Sequence, residues 1–100
     1  MNMTTNFSVL SQLLGSYFHQ DWSDEFGSDG EALQAIVQAE PREQVEIGVE
    51  EIDQLLAEHK SEEELRVIMV DEIGCYFEPE SQGIGYMDWL ARVRGYFAES

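Results

Sequence analysis

FSVLSQLLGSYF, residues 7–18, sets Phe7, Leu10, Leu13, Leu14, Tyr17 and Phe18 at intervals of three and four. That interval gathers the six side chains into one apolar stripe of an α-helix, where a half-buried strand would need strict alternation. Asn6 stands where an N-cap is expected, and residues 1–5 are expected to form a flexible N-terminus. Beyond this helix, His19 to Gly27 is polar and acidic apart from Trp22 and Phe26. It has the chemistry of a loop with two apolar anchors.

The same period returns downstream. Ser28 with Glu31 has the capping-box pattern, and Ala32, Leu33, Ile36 and Val37 supply the buried face behind it. Pro41 fits the first turn of a third helix, where its missing N–H costs little. The stripe of that helix is Val45, Val49, Ile52 and Leu56, with Gly48 and Leu55 beside it. Ser61 and Glu64 repeat the capping pattern ahead of Leu65, Ile68, Met69 and Ile73, and Gly74 sits where a helix end favours positive φ. Cys75 to Gly85, with Pro79 and Gly83, reads as a connection before a last helix carrying Tyr86, Trp89, Leu90, Val93, Tyr96 and Phe97. Cys75-Tyr76-Phe77 is the one β-like run, too short for a sheet. The expectation is an all-α fold, one domain over 1–100, packed as a bundle of about five helices.

Charge narrows the function. Twenty-one Asp and Glu face five Lys and Arg, a net −16 at pH 7, while 43% hydrophobic residues argue against disorder. Such a surface repels phosphate backbones and anionic bilayers, so neither direct nucleic-acid nor membrane binding is expected. A basic protein is the complementary partner, although the same charge would also serve solubility. The lone Cys75 rules out an internal disulfide, and MNMTTNFSVL has neither the basic nor the apolar region of a signal peptide. A cytoplasmic location and, because the carboxylates repel one another, a free monomer are expected.

Catalytic groups are not apparent. His19 and His59 lie forty residues apart, and no Cys pair could hold a structural zinc. An EF-hand frame begun at Asp21 would put Phe26 where glycine is needed and Ala32 where the bidentate Glu belongs. Cys75, between a helix and two aromatics, reads as a small buried residue rather than a nucleophile. Neither an enzyme, a metal site nor a cofactor is expected. What remains is surface: the loop carboxylates Asp21, Asp24, Glu25, Asp29 and Glu31, and the third-helix face with Glu43, Glu46, Glu50, Glu51 and Asp53. These are the candidate contacts for a basic partner, with Trp22 and Phe26 either adding apolar anchors or tucking into the core. Glu62, Glu63 and Glu64 read instead as a first helical turn complementing the dipole.

The run Leu13-Leu14-Gly15-Ser16-Tyr17-Phe18-His19-Gln20-Asp21-Trp22 resembles the opening signature of a family of immunity proteins of contact-dependent growth inhibition, the CdiI type. The helix start Gly27 to Leu33, the segment Glu51 to Leu56, and Gly74-Cys75-Tyr76-Phe77 before Trp89-Leu90 agree with it in order and spacing, so the resemblance spans most of the chain. It implies a non-enzymatic cytoplasmic inhibitor. The implied partner, bound one to one, is the cognate CdiA-type C-terminal toxin domain of a surface exoprotein; many such toxins are nucleases. Inhibition would cover the active site or deny substrate access. The alternative is an acidic adaptor or nucleic-acid mimic that binds a basic host protein. On the resemblance, Tyr17, Phe18, His19, Asp21, Trp22, Gly74, Tyr76, Phe77 and Trp89 are expected to hold the fold, while the acidic positions set specificity.

Overall fold

Every apolar stripe becomes a helix in the computed structural model, which describes residues 7–99. The expected Asn6 cap and the residues 1–5 lie outside the described residues. Helix α1 (Ser8–Leu10) continues as a π-helical segment (Ser11–Gly15); α2 is Trp22–Glu25, α3 Asp29–Ala39 and α4 Arg42–Ala57. Helix α5 (Glu62–Val67) likewise continues as a π-helical segment (Ile68–Ile73). A 3-10 turn (Pro79–Gln82) then leads to α6 (Tyr86–Ala98). No strand forms among the described residues. The fold is all-α, with one helix more than expected: α2 is a single turn inside the stretch read as a loop.

Helix ends follow the polar punctuation. Ser61 accepts from the Glu64 amide at 3.1 Å and Glu64 returns a bond to the Ser61 amide at 2.9 Å, a complete capping box. At α3 only half of the box forms: Ser28 accepts from the Glu31 amide, but Glu31 reaches one residue further back, to Gly27. Pro41 is the N-cap of α4 rather than part of its first turn. Gly74 ends the second π-helical segment at φ 81°, a conformation that costs glycine almost nothing.

The core lies where α4 crosses α6, with α1 on one flank and α3 and α5 against α6. The buried stripe of α4 is Val45, Gly48, Ile52 and Leu55, rotated slightly from the expected one, so that Val49 and Leu56 sit at its edge. It meets Leu90, Val93 and Phe97 of α6, all buried. Each such aliphatic or aromatic side chain contributes about 1.5–3 kcal/mol relative to exposure. The first helix is tied down by Glu51, whose carboxylate accepts the first-turn amide of Leu10 at 2.9 Å.

The two π-helical segments pack against each other. A Cβ on Gly15 would lie 2.4 Å from the Ile73 carbonyl oxygen, so only glycine admits this approach. Ser11 donates its hydroxyl to the same carbonyl at 3.1 Å, and the Tyr76 amide bonds the Phe18 carbonyl at 2.7 Å. The crossing joins the two most distinctive sequence runs, Leu13 to Trp22 and Gly74 to Phe77. Their aromatic rings then close over it: Phe18, Trp22, Phe77 and Trp89 form one cluster with centroids 4.6–5.9 Å apart. Such contacts add about 0.5–1.5 kcal/mol per pair beyond burial.

Candidate functional site

The acidic residues divide by what they already bind. Asp29, expected on the partner face, is 4% exposed. Its carboxylate accepts from Trp89 Nε1 at 2.9 Å, Gln82 Nε2 at 2.8 Å and Arg92 Nη1 at 3.1 Å. Burial pushes its pKa up, but the hydrogen bonds from Trp89, Gln82 and Arg92, with the charge of Arg92, outweigh that and hold it below the ordinary range. Asp29 therefore pins the start of α3 to the 3-10 turn and α6, and it offers no free oxygen face to a partner. Glu62 does comparable work: it accepts the Tyr86 amide at 2.6 Å and the Met87 amide at 3.2 Å, capping α6 from another helix.

Other candidates are exposed but engaged. Asp53 makes two bonds to Arg94, at 2.5 and 3.1 Å, clasping α4 to α6 at the surface. Glu46 pairs with Arg42 one turn earlier. Glu31 holds the Gly27 amide. Glu25 faces His19 Nε2 at 3.3 Å, while His19 Nδ1 accepts the Asp21 amide at 3.1 Å. This imidazole staples the turn that carries α2. Asp21, Asp24, Glu43 and Glu50 keep exposed side chains, and none has a cation partner among the described residues.

The signature residues are mostly internal. Phe18, Phe77 and Trp89 are buried, and Trp22 is half-buried on Phe18 and Phe77. Phe26 packs on Tyr17, whose hydroxyl donates to Glu40 at 2.9 Å, so both loop aromatics face the core rather than solvent. Burial pushes the Tyr17 phenol up, and the nearby Glu40 carboxylate adds to the shift. Tyr76 departs from its expected core role, with 43% of its surface exposed.

The chain around it explains why. From Cys75 to Glu80 the backbone is extended, then turns, and burial alternates: Cys75, Phe77 and Pro79 point in, while Tyr76, Glu78 and Glu80 point out. The phase is fixed by the Cys75 amide on the Met69 carbonyl and the Tyr76 amide on Phe18. The outward row lines an open groove of about 1150 Å³, together with Val67 and Asp71 of α5 and its π-helical continuation. Residue types alone do not expose this site, because Cys75-Tyr76-Phe77 is an unbroken apolar and aromatic run; the period-two alternation appears only in the burial of 75–80 in the folded chain.

No group of three or more His, Cys, Asp or Glu side chains is placed to hold a metal ion among the described residues. Burial pushes the Cys75 thiol up to about 12, against the Phe77 amide that favours the thiolate, which makes it a poor nucleophile at neutral pH. Among the described residues no helix is long and apolar enough to cross a membrane.

A family model described as CdiI immunity protein matches residues 6–97. Among solved structures, one chain of the crystallised CdiA-CT/CdiI complex from Y. kristensenii 33638 is similar throughout. The TM-score is 0.84 at 30% identity, covering 91% of this chain and 97% of that one. No curated protein is similar to the chain.

Proposed function

The chain belongs to the CdiI immunity protein family, and from that premise we propose that it neutralises the C-terminal toxin domain of a cognate CdiA-type exoprotein by binding it one to one in the cytoplasm. The observation that carries this reading is the agreement of fold over nearly the full length with a chain from a CdiA-CT/CdiI complex. The toxin is a nuclease with a basic substrate cleft, and inhibition works by occupying or covering that cleft. No turnover is required of the inhibitor.

Charge supports the nuclease assignment. A cleft built for phosphates presents Lys and Arg, and a partner at −16 is attracted to it as the two surfaces come close. Asp24, Glu43 and Glu50 suit this task because no cation among the described residues pairs with them. Charges of this kind raise association rates from about 10⁵–10⁶ toward 10⁸–10⁹ M⁻¹s⁻¹ at low salt. Salt confines this attraction to the last part of the approach, the Debye length being about 8 Å at physiological ionic strength.

A protection assay tests the reading. The toxin domain encoded immediately upstream is induced in cells with and without this chain. Growth restored by this chain, with cellular RNA and DNA left intact, is the expected result. Growth arrest that persists while both proteins are soluble would overturn it.

A further inference from the structure

The groove beside Tyr76 combines three properties that suit a docking surface. It is concave. It is lined by exposed large apolar side chains, Val67 at 52% and Tyr76 at 43% exposure. Its lining holds seven carboxylates against two cations, Lys60 and Arg66. By contrast, Ile47 is the lone exposed large apolar residue of α4, on a convex helix face among Glu43, Glu46 and Glu50.

The groove is also rigid where it needs to be. Tyr76 is held between Cys75 and Phe77, both anchored in the core, so its ring is presented without loop entropy to lose on binding. The phenol of Tyr86 lies at the floor. Burial pushes it up; Cys75, Glu78 and Glu80 push the same way and Arg66 opposes them, so both outward carboxylates of the 76–80 row act on the groove interior. An aromatic anchor ringed by carboxylates in a concave site is the anatomy of an interface centre.

We infer that this groove, between α5 with its π-helical continuation and residues 76–80, is where the toxin domain docks, receiving a segment of it that presents Lys or Arg beside an apolar or aromatic side chain. The inference rests on the toxin-neutralising reading and divides the labour within it. The carboxylates of α4 and the α2 turn steer the approach, and the groove holds the complex. Steering changes association and is sensitive to salt, whereas a desolvated anchor changes dissociation.

The test is a kinetic binding measurement with the toxin domain encoded immediately upstream, made catalytically inactive, as the probe. Tyr76→Ala is expected to leave association within about 3-fold and speed dissociation by about 30-fold, as loss of an interface hot spot does. Glu78→Lys with Glu80→Lys should slow association and speed dissociation. Glu43→Lys with Glu50→Lys makes the same change of charge on α4 and should slow association alone. All of these positions are exposed, so unchanged thermal unfolding accompanies each result.

If the parent binds and both groove variants bind as tightly, the groove assignment falls while the toxin-neutralising reading stands. If the parent does not bind, both fall. Sedimentation of the parent at rising concentration adds one further outcome. A dimer abolished by Tyr76→Ala would give the groove to a second copy of this chain and overturn the assignment.

Discussion

Replacing Gly15 by alanine adds one methyl group where the structure has least room. The new Cβ would lie 2.4 Å from the Ile73 carbonyl oxygen, which is backbone and cannot swing aside. The two π-helical segments must separate, at an overpacking cost of about 1–3 kcal/mol. Separation also stretches the Ser11 bond to the same carbonyl, worth about 1 kcal/mol. Against this, alanine gains about 1 kcal/mol over glycine inside a helix. The net is a loss of about 2 kcal/mol, a substantial part of the 5–15 kcal/mol typical of a domain.

Urea unfolding followed by tryptophan fluorescence reads this directly, because Trp22 and Trp89 belong to the ring cluster over the crossing. With a slope of about 1.3 kcal/mol per molar, Gly15→Ala should lower the midpoint by about 1.5 M. Gly95→Ala is the control: it also lies in a helix, but nothing comes within 4 Å of its added Cβ. It should raise the midpoint by up to about 0.7 M. Equal midpoints for the two variants would refute the claim that the crossing requires glycine.

Other perturbations probe separate parts of the molecule. Asp29→Asn should destabilise the fold by about 2 kcal/mol at pH 7, since bonds to a buried charge are lost. Because Asp29 has a folded pKa below its unfolded value, its contribution is present above about pH 4 and is lost as pH falls through the folded pKa. The stability gap between parent and variant should therefore close in acid, as denaturation curves at stepped pH would report. Cys75, with its thiol raised to about 12 and its side chain buried, should react with an aromatic disulfide reagent at least ~100-fold more slowly in the native protein than in denaturant. His59 follows the Glu58 C-cap of α4 with φ 53°, a left-handed conformation costing a non-glycine residue about 1–2 kcal/mol. After the entropy of glycine is counted, His59→Gly should raise the melting temperature by about 4 °C in a calorimetric scan.

How much of this was legible in the sequence depends on the range of the interaction. Capping at Ser61 and Glu64, the positive φ of Gly74 and the stripes of the long helices are local, and residue spacing exposes them. The π-helical widening after Leu10 and after Val67 is not local: each segment is shaped by contact with the other, across some sixty residues, as with Ser11 and Ile73. Asp29 looked like one more loop carboxylate because its three donors come from Gln82, Trp89 and Arg92, far along the chain. Tyr76 looked like core because both of its neighbours are. The β-like character of Cys75-Tyr76-Phe77 shows in the sequence, but three apolar or aromatic residues in a row hide the alternation by which every second residue turns outward. Trp22 and Phe26, by contrast, could be placed either way from sequence, and the packing of Tyr17 and Phe77 decides for the core.

The proposed role requires this acidic helical protein to bind and silence a basic toxin domain. A calorimetric titration against the domain encoded immediately upstream, run at low and at high salt, tests it most directly. The account predicts one-to-one binding with nanomolar affinity at low salt that weakens as salt rises, since part of the attraction is between screened charges. Absence of binding at either salt, with both proteins folded, would contradict it; the family likeness would then describe the fold, and an adaptor for a basic host protein would become the better account.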